Sequence, residues 1–136
     1  MRYAEENFEK AINEMPNNPD NYFNMGNVHL NRESFDEAHQ FFDKAISIDS
    51  KNAKFYHAKG LAFQAQAEFI ERNHQDTPEV ERETNELTAL AIDQFETALK
   101  YSKTFISSMF HLGLMFKKTH RFKEALIQFS NVQNYL

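Results

Sequence analysis

The sequence predicts an all-α fold built from a repeated unit, and three observations support that fold class. Glycine and proline number only three each among the 136 residues, whereas all-β domains use those residues in their many turns. Small and large apolar residues recur at helical spacing, with alanine followed four residues later by phenylalanine in several segments. The pattern itself then recurs with a period of 34 residues. A fixed period of this length is the signature of repeat architectures.

Composition narrows the classes of function before any motif is considered. The 136 residues suffice for one compact domain, and 15 Lys or Arg against 20 Asp or Glu leave a net charge of -5. That charge argues against nucleic acid as a partner, because binding to phosphates rests on a basic surface. Cysteine is absent, which excludes disulfides and thiolate catalysis. The acidic N-terminus and the lack of a long apolar stretch predict no signal peptide and no membrane insertion.

The repeat is visible at specific positions. The first copy consists of Tyr22, Met25, Gly26, His29, Ala38, Phe42 and Ala45. Its first half recurs 34 residues later as Tyr56, Gly60 and Phe63. The second half resumes at Ala91, Phe95 and Ala98, and a further copy comprises Met109, Leu112, Gly113, Phe116, Ala125, Phe129 and Val132. The chain opens on Ala4, Phe8, Ala11 and Pro16, which match the second half of a unit.

An insertion interrupts the second copy. Gly60 and Gly113 are 53 residues apart, so this unit carries 19 extra residues. The predicted organisation is therefore a second helix of a truncated repeat at 1–18, repeat one at 19–52, repeat two at 53–105 with an inserted helical extension at about 70–89, and repeat three at 106–136. The extension is expected to project as a helical hairpin and is a second candidate docking surface.

Seven helices follow from the apolar periodicity, at 2–14, 20–31, 35–48, 53–73, 78–101, 104–117 and 121–135. Asn17, Asn18 and Pro19 mark the first turn. We expect Ser34 to cap the third helix, and Asp76 to cap the fifth with Pro78 in its first turn.

At these positions the sequence resembles the tetratricopeptide repeat family, whose 34-residue pattern places an aromatic residue, Leu-Gly, Tyr and then Ala at fixed intervals. The resemblance implies an α-solenoid, in which antiparallel helix pairs stack into a right-handed superhelix with a concave groove lined by the first helix of each pair. This chain departs from the pattern at Met109, which replaces an aromatic residue, and at His29, which replaces a tyrosine.

In that family, partners usually lie along the groove. Helical spacing places on the corresponding stripe Asp20, Phe23, Asn27, Leu30 and Asn31, then Lys54, His57, Leu61, Gln64 and Ala65, then Ser107, Phe110, Leu114, Lys117 and Lys118. The predicted partner-binding residues are Phe23, Asn27, Leu30, His57, Leu61, Gln64, Phe110, Leu114 and Lys117. Because the repeat pattern does not require large apolar residues at Phe23, Leu61, Phe110 and Leu114, the stripe favours an amphipathic helix or an extended apolar peptide. The alternative is that packing between repeats buries them. A clamp for acidic chaperone tails is disfavoured, because Phe23 and Leu61 stand where Lys and Asn are expected.

No residue pattern in the sequence indicates a catalytic or metal-binding site. No two of the six histidines are spaced three or four apart on one helix, and Glu71 with His74 forms a single Glu-x-x-His where a di-metal bundle site needs two. There is no phosphate-binding loop and no nucleophile elbow. We therefore expect no catalytic residues, no metal, no cofactor and no enzymatic activity.

Two functions remain open. The first is a protein–protein interaction module of a longer scaffold protein, binding a peptide or helix in its groove. The second is a purely architectural solenoid segment of a large ciliary, transport or regulatory assembly, with self-association through exposed terminal helices near Val132, Tyr135 and Leu136. A cytoplasmic location is expected for either function, with a cilium as one example of a larger assembly.

Overall fold

The computed structural model describes the backbone of residues 2–136 and the side chains from Ala4 onward, and all regular secondary structure in those residues is helical. The helices are α1 (Arg2–Glu14), α2 (Pro19–Asn31), α3 (Phe35–Ile48), α4 (Ala53–Asn73), α5 (Pro78–Tyr101), α6 (Ile106–Lys118) and α7 (Phe122–Asn134). Each predicted helix is present, and every predicted end lies within two residues of the observed one.

The helices pack in chain order. Extensive contacts join α2 with α3, α4 with α5 and α6 with α7, while α3 packs on α4 and α5 packs on α6. Because short loops connect these neighbours, consecutive helices run antiparallel. The first helices α2 and α4 also touch, and α1 packs on α2. This serial stacking of helix pairs is a helical solenoid, which confirms the predicted fold class.

Within each pair, a phenylalanine ring of the second helix lies directly on a glycine of the first. A Cβ atom added to Gly60 would lie 2.5 Å from Cε1 of Phe95, and one added to Gly113 would lie 2.6 Å from Cε1 of Phe129. Gly26 has the same relation to Phe42. The rings of Phe42 and Phe95 are fully buried. The in-phase glycines are therefore required by the close approach of the two helices in each pair.

The helix caps agree with the sequence in part. Asn18 caps α2, where its side chain accepts a hydrogen bond from the backbone N–H of Asp20 at 3.0 Å. The prediction for α5 was wrong by one residue: Thr77 is the cap, and its Oγ1 accepts from the N–H of Val80 at 3.2 Å. Ser34 stands at the cap position of α3, but its side chain makes no capping hydrogen bond.

The inserted residues lengthen α4 to 21 residues and α5 to 24, against 13 or 14 in the other helices. Leu87 of α5 is buried, whereas Leu90 of the same helix is exposed. Phe69 of α4 packs edge-to-face on Phe35 of α3, with ring centroids 5.7 Å apart. The extension is thus held partly by the preceding pair. Charged residues cover its outside at Glu79, Glu81, Arg82, Glu83 and Glu86.

Among the described residues, no helix has the length and apolar character needed to cross a membrane.

Candidate functional site

Contacts between the first helices α2, α4 and α6 join several residues of the predicted stripe. At one end, Lys54 Nζ lies 3.3 Å from Asp20 Oδ1 and 4.8 Å from the centre of the Phe23 ring. Further along, His111 Nδ1 donates to Gln64 Oε1 at 3.0 Å, which joins α4 to α6. We call the surface formed by the predicted stripe residues of these three helices the first-helix surface.

The apolar members of the first-helix surface are largely occupied by packing. The ring centroid of Phe23 lies 6.0 Å from that of Phe42 and 5.4 Å from that of Phe55, so Phe23 stands between its own pair and the next. Leu30 packs against the cluster around Phe42. Leu61 and Leu114 pack against the cluster that contains Phe95, Leu112 and Phe116. All four predicted residues, Phe23, Leu30, Leu61 and Leu114, are half-buried.

His57 is the most deeply buried of the predicted binding residues, with 8% of its surface exposed. Its Nδ1 lies 2.7 Å from Ser108 Oγ, and its Nε2 lies 3.2 Å from Ser107 Oγ. The ring also stacks on Phe105 at 4.8 Å. Burial, with a smaller contribution from the neighbouring His111, lowers the pKa of His57 to about 4. His57 is therefore neutral at pH 7 and joins α4 to α6.

The accessible part of the first-helix surface is mixed in character. Asn27 and Gln64 are half-buried, Lys117 is exposed, and Phe110 keeps 43% of its surface exposed. Phe110 contacts Phe129 of α7 with ring centroids 6.2 Å apart. A ligand on this surface could therefore contact the side-chain amides of Asn27 on α2 and Gln64 on α4. On α6 it could contact the ring of Phe110 and the ammonium group of Lys117.

Sequence reasoning missed the polar contacts between first helices. Ser108 is fully buried against His57, and His111 bonds to Gln64 although neither serine nor histidine belongs to the repeat pattern. The sequence indicates these contacts only through helical spacing. His111 and Leu112 follow Ser108, and precede Met115, by three or four residues, so the four side chains lie on one face of α6.

A second surface with exposed apolar side chains lies on α7 and the residues that follow it. The large exposed side chains there are Phe122, Leu126, Ile127, Tyr135 and Leu136. Exposed apolar side chains concentrated on one helix are typical of interaction surfaces.

The histidines and carboxylates form ordinary structural contacts. Glu71 pairs with Lys118 at 2.6 Å, and His74 Nδ1 lies 3.2 Å from the carbonyl oxygen of Ile70. In the described part of the chain, no three His, Asp or Glu side chains are grouped so as to hold a metal ion.

Residues 19–52 match the family model of the tetratricopeptide repeat. This segment is therefore similar to the tetratricopeptide repeat family. The resemblance seen in the sequence is thereby confirmed. A comparison with curated protein sequences gives no match.

Solved structures of tetratricopeptide repeat proteins share the fold. A monomeric mutant of IFIT1 with Gppp-AAAA superimposes with a TM-score of 0.84 at 20% identity, and the human IFIT1 dimer with m7Gppp-AAAA with a TM-score of 0.82 at 20% identity. Both comparisons cover 93% of this chain and 28% of the IFIT1 chain. MamA 41-end from Desulfovibrio magneticus RS-1 gives a TM-score of 0.73 at 19% identity, covering 98% of this chain and 65% of that chain. These similarities establish the fold, and the chain spans only about a quarter of IFIT1.

Proposed function

We propose that this tetratricopeptide repeat chain is a non-enzymatic interaction module that binds a peptide or helix of another protein along the first-helix surface, as part of a longer cytoplasmic scaffold. The observation that supports the proposal is that polar contacts join neighbouring first helices, from Lys54 of α4 to Asp20 of α2 and from His111 of α6 to Gln64 of α4. A continuous surface of this length suits an extended or helical segment better than a small molecule.

The accessible side chains define the chemistry of the partner. Phe110 and the half-buried Leu114 offer apolar contact on α6, and Lys117 beside them favours an acidic group on the ligand. Asn27 offers a side-chain amide to a peptide backbone or to polar side chains. We therefore propose a ligand with an apolar side chain near α6 and a carboxylate within reach of Lys117.

Selection from a displayed peptide library, followed by affinity measurement, tests this function. Selected peptides are expected to bind at least about tenfold more weakly to the double variant Asn27→Arg/Lys117→Glu. Neither residue belongs to a buried cluster, so the fold should persist. Lys123→Glu on α7 is the matched control for the Lys117→Glu substitution, because it makes the same charge change outside the first-helix surface. Equal affinity of the selected peptides for wild type and the double variant would show that the first-helix surface is not the binding site.

The exposed apolar side chains on α7 favour a second candidate, an architectural segment that stacks on a neighbouring unit. Solenoid units bury their apolar faces against their neighbours, so a face with Phe122 and Leu126 exposed is suited to stacking. In this role the chain holds other parts of an assembly at a fixed distance.

A further inference from the structure

We propose that the α4–α5 extension binds a basic segment of another protein, in a groove between the extension and the end of α6. This site is additional to the first-helix surface, with which its lining shares only Lys118. It gives the interaction module a second binding site that can be tested independently of the first.

Two adjoining cavities form this groove. One, of about 410 Å³, lies between the tip of the extension and Lys118 of α6. The other, of about 460 Å³, runs along α5 from Pro78 to Ala89, over about 16 Å of helix. Glu81 and Asn85 line both cavities, so the two form one depression, which we call the extension groove.

The extension groove lies inside the stack, between the second helix pair and the third. Towards the first pair, the extension is packed through Phe69 on Phe35. Towards the third pair, an ion pair of 2.6 Å between Lys118 and Glu71 holds the tip, and the groove lies beside it. Helix pairs make extensive contacts only with adjacent pairs, so a further pair packed on α7 would leave the groove accessible.

The extension carries the net negative charge of the chain. Residues 68–90 contain seven Asp or Glu and two Lys or Arg, a net charge of -5, which equals the net charge of the whole chain. The other residues contain thirteen acidic and thirteen basic side chains. Negative potential is therefore concentrated at the extension, and a positively charged partner would be attracted there.

Carboxylates without a partner line the extension groove. Three exposed acidic residues of the lining form no ion pair and no side-chain hydrogen bond with the described residues: Asp76, Glu81 and Glu86. Of the two cations in the lining, Lys118 is neutralised by Glu71, which leaves only Arg82 to oppose these carboxylates. The partial charges at the two helix ends of the tip, negative for α4 and positive for α5, offset each other, so the side chains determine the sign.

The lining defines the chemistry of the partner. Arg side chains suit Glu81 and Glu86, because a guanidinium group binds a carboxylate through two parallel hydrogen bonds. Pro78 and Ala89 give the groove an apolar part, and Leu90, one helical turn beyond Glu86, is 44% exposed. Phosphate-rich partners are repelled by the carboxylates. The groove therefore fits a protein segment that has at least two Arg or Lys side chains with small or apolar residues between them.

Selection from a displayed peptide library with the wild-type chain, followed by affinity measurement, tests this site. A class of peptides rich in Arg or Lys is expected, and these should bind at least about tenfold more weakly to Glu81→Lys/Glu86→Lys. Both side chains are exposed and make no bond within the described residues, so the fold should persist. Glu81→Gln/Glu86→Gln replaces this variant if circular dichroism shows a loss of helix.

Glu79→Lys/Glu83→Lys is the matched control. Both residues are exposed on the same part of α5 and undergo the same change of charge, but they line neither cavity. The control should weaken the basic peptides by less than about threefold, because exposed charges outside the contact are screened by salt. Equal losses in the two variants would mean general attraction to an acidic surface and would overturn the proposal.

Two further results would also overturn it. The first is a selection that yields no peptides rich in Arg or Lys. The second is displacement of these peptides by an equal concentration of spermine, because a free polyamine makes no use of the apolar part of the groove.

Failure of this site and failure of the first-helix surface can be distinguished. Basic peptides should keep their affinity for Asn27→Arg/Lys117→Glu, and peptides bound on the first-helix surface should keep theirs for Glu81→Lys/Glu86→Lys. Loss of only the first group of peptides would reject the extension groove and leave the first-helix surface as the binding site.

Discussion

Each helix pair has one glycine beneath a phenylalanine ring, and at Gly60 the ring of Phe95 leaves no room for a side chain. Alanine is the better helix former by about 1 kcal/mol, yet a methyl group at Gly60 meets a ring that is fully buried and has little room to move. We predict that Gly60→Ala lowers the free energy of unfolding by about 1–3 kcal/mol. Urea unfolding followed by circular dichroism measures this change.

Gly113→Ala is the matched control for that prediction. The ring of Phe129, which lies on Gly113, is only half-buried and can shift outward. The loss in free energy of unfolding should therefore be clearly smaller than for Gly60→Ala. If Gly60→Ala stabilised the protein, helix propensity would outweigh packing, and the glycine would not be required by the close approach of α4 and α5.

The packing role of residues that follow the repeat pattern could be predicted from the sequence. The packing role of residues that contact the next repeat could not. The glycines and the phenylalanines above them recur in phase, so periodicity alone places them in the core. Helical spacing placed Phe23 on the predicted stripe, but it did not reveal that the Phe23 ring packs on Phe55 of the next pair, at a centroid distance of 5.4 Å. This distance depends on how two units are rotated against each other, which a single sequence does not encode locally.

At the scale of the helix, Thr77 stabilises α5 through a side-chain cap. Its hydroxyl accepts a hydrogen bond from the N–H of Val80, which otherwise has no partner within the helix. Thr77→Ala should therefore lower the free energy of unfolding by about 1 kcal/mol. Ser34→Ala is the control, because the Ser34 side chain makes no capping bond to α3. Equal effects of the two substitutions in thermal unfolding would contradict the role of the Thr77 cap.

Helix positions were recovered from the sequence more fully than the turns between them. The turns after α2 and α6 use equivalent residues, Glu33 and His120, at positive φ angles of 60° and 61°. Glycine is the usual residue in this left-handed conformation, and its absence removed the signal by which the turns would be recognised. Periodicity still fixed the helix ends within two residues, since the apolar pattern stops where each helix leaves the core.

At the scale of the whole molecule, a cluster of neutral histidines links the central pair to the last one. His57 of α4 and His111 of α6 have ring centroids 5.7 Å apart, and the Phe95 ring of α5 lies 5.4 Å from His57 and 5.6 Å from His111. Burial lowers the pKa of both histidines. The carboxylate of Glu68 partly offsets this effect at His111, because its negative charge raises the pKa of that ring. The hydrogen-bond partners of His57 are the uncharged hydroxyls of Ser107 and Ser108.

This arrangement predicts that acid weakens the stack. In the unfolded chain His57 takes up a proton near its usual pKa of about 6.5, whereas in the folded chain it does so only at about 4. Stability from the neutral ring is complete above pH 6.5 and is lost as the pH falls towards 4, by a total of about 3 kcal/mol. Urea unfolding at pH 7.5, 5.5 and 4.5 should show this loss in the wild type.

His57→Phe isolates that contribution, because phenylalanine occupies the equivalent positions 23 and 110 and does not titrate. The variant should be less stable at neutral pH, since the hydroxyl of buried Ser108 loses its partner. Its stability should nevertheless fall less steeply on acidification than that of the wild type, because both proteins share the titration of every other group. Parallel losses in the two proteins would mean that acid acts through the carboxylates and that the buried histidine does not set the pH at which the stack opens.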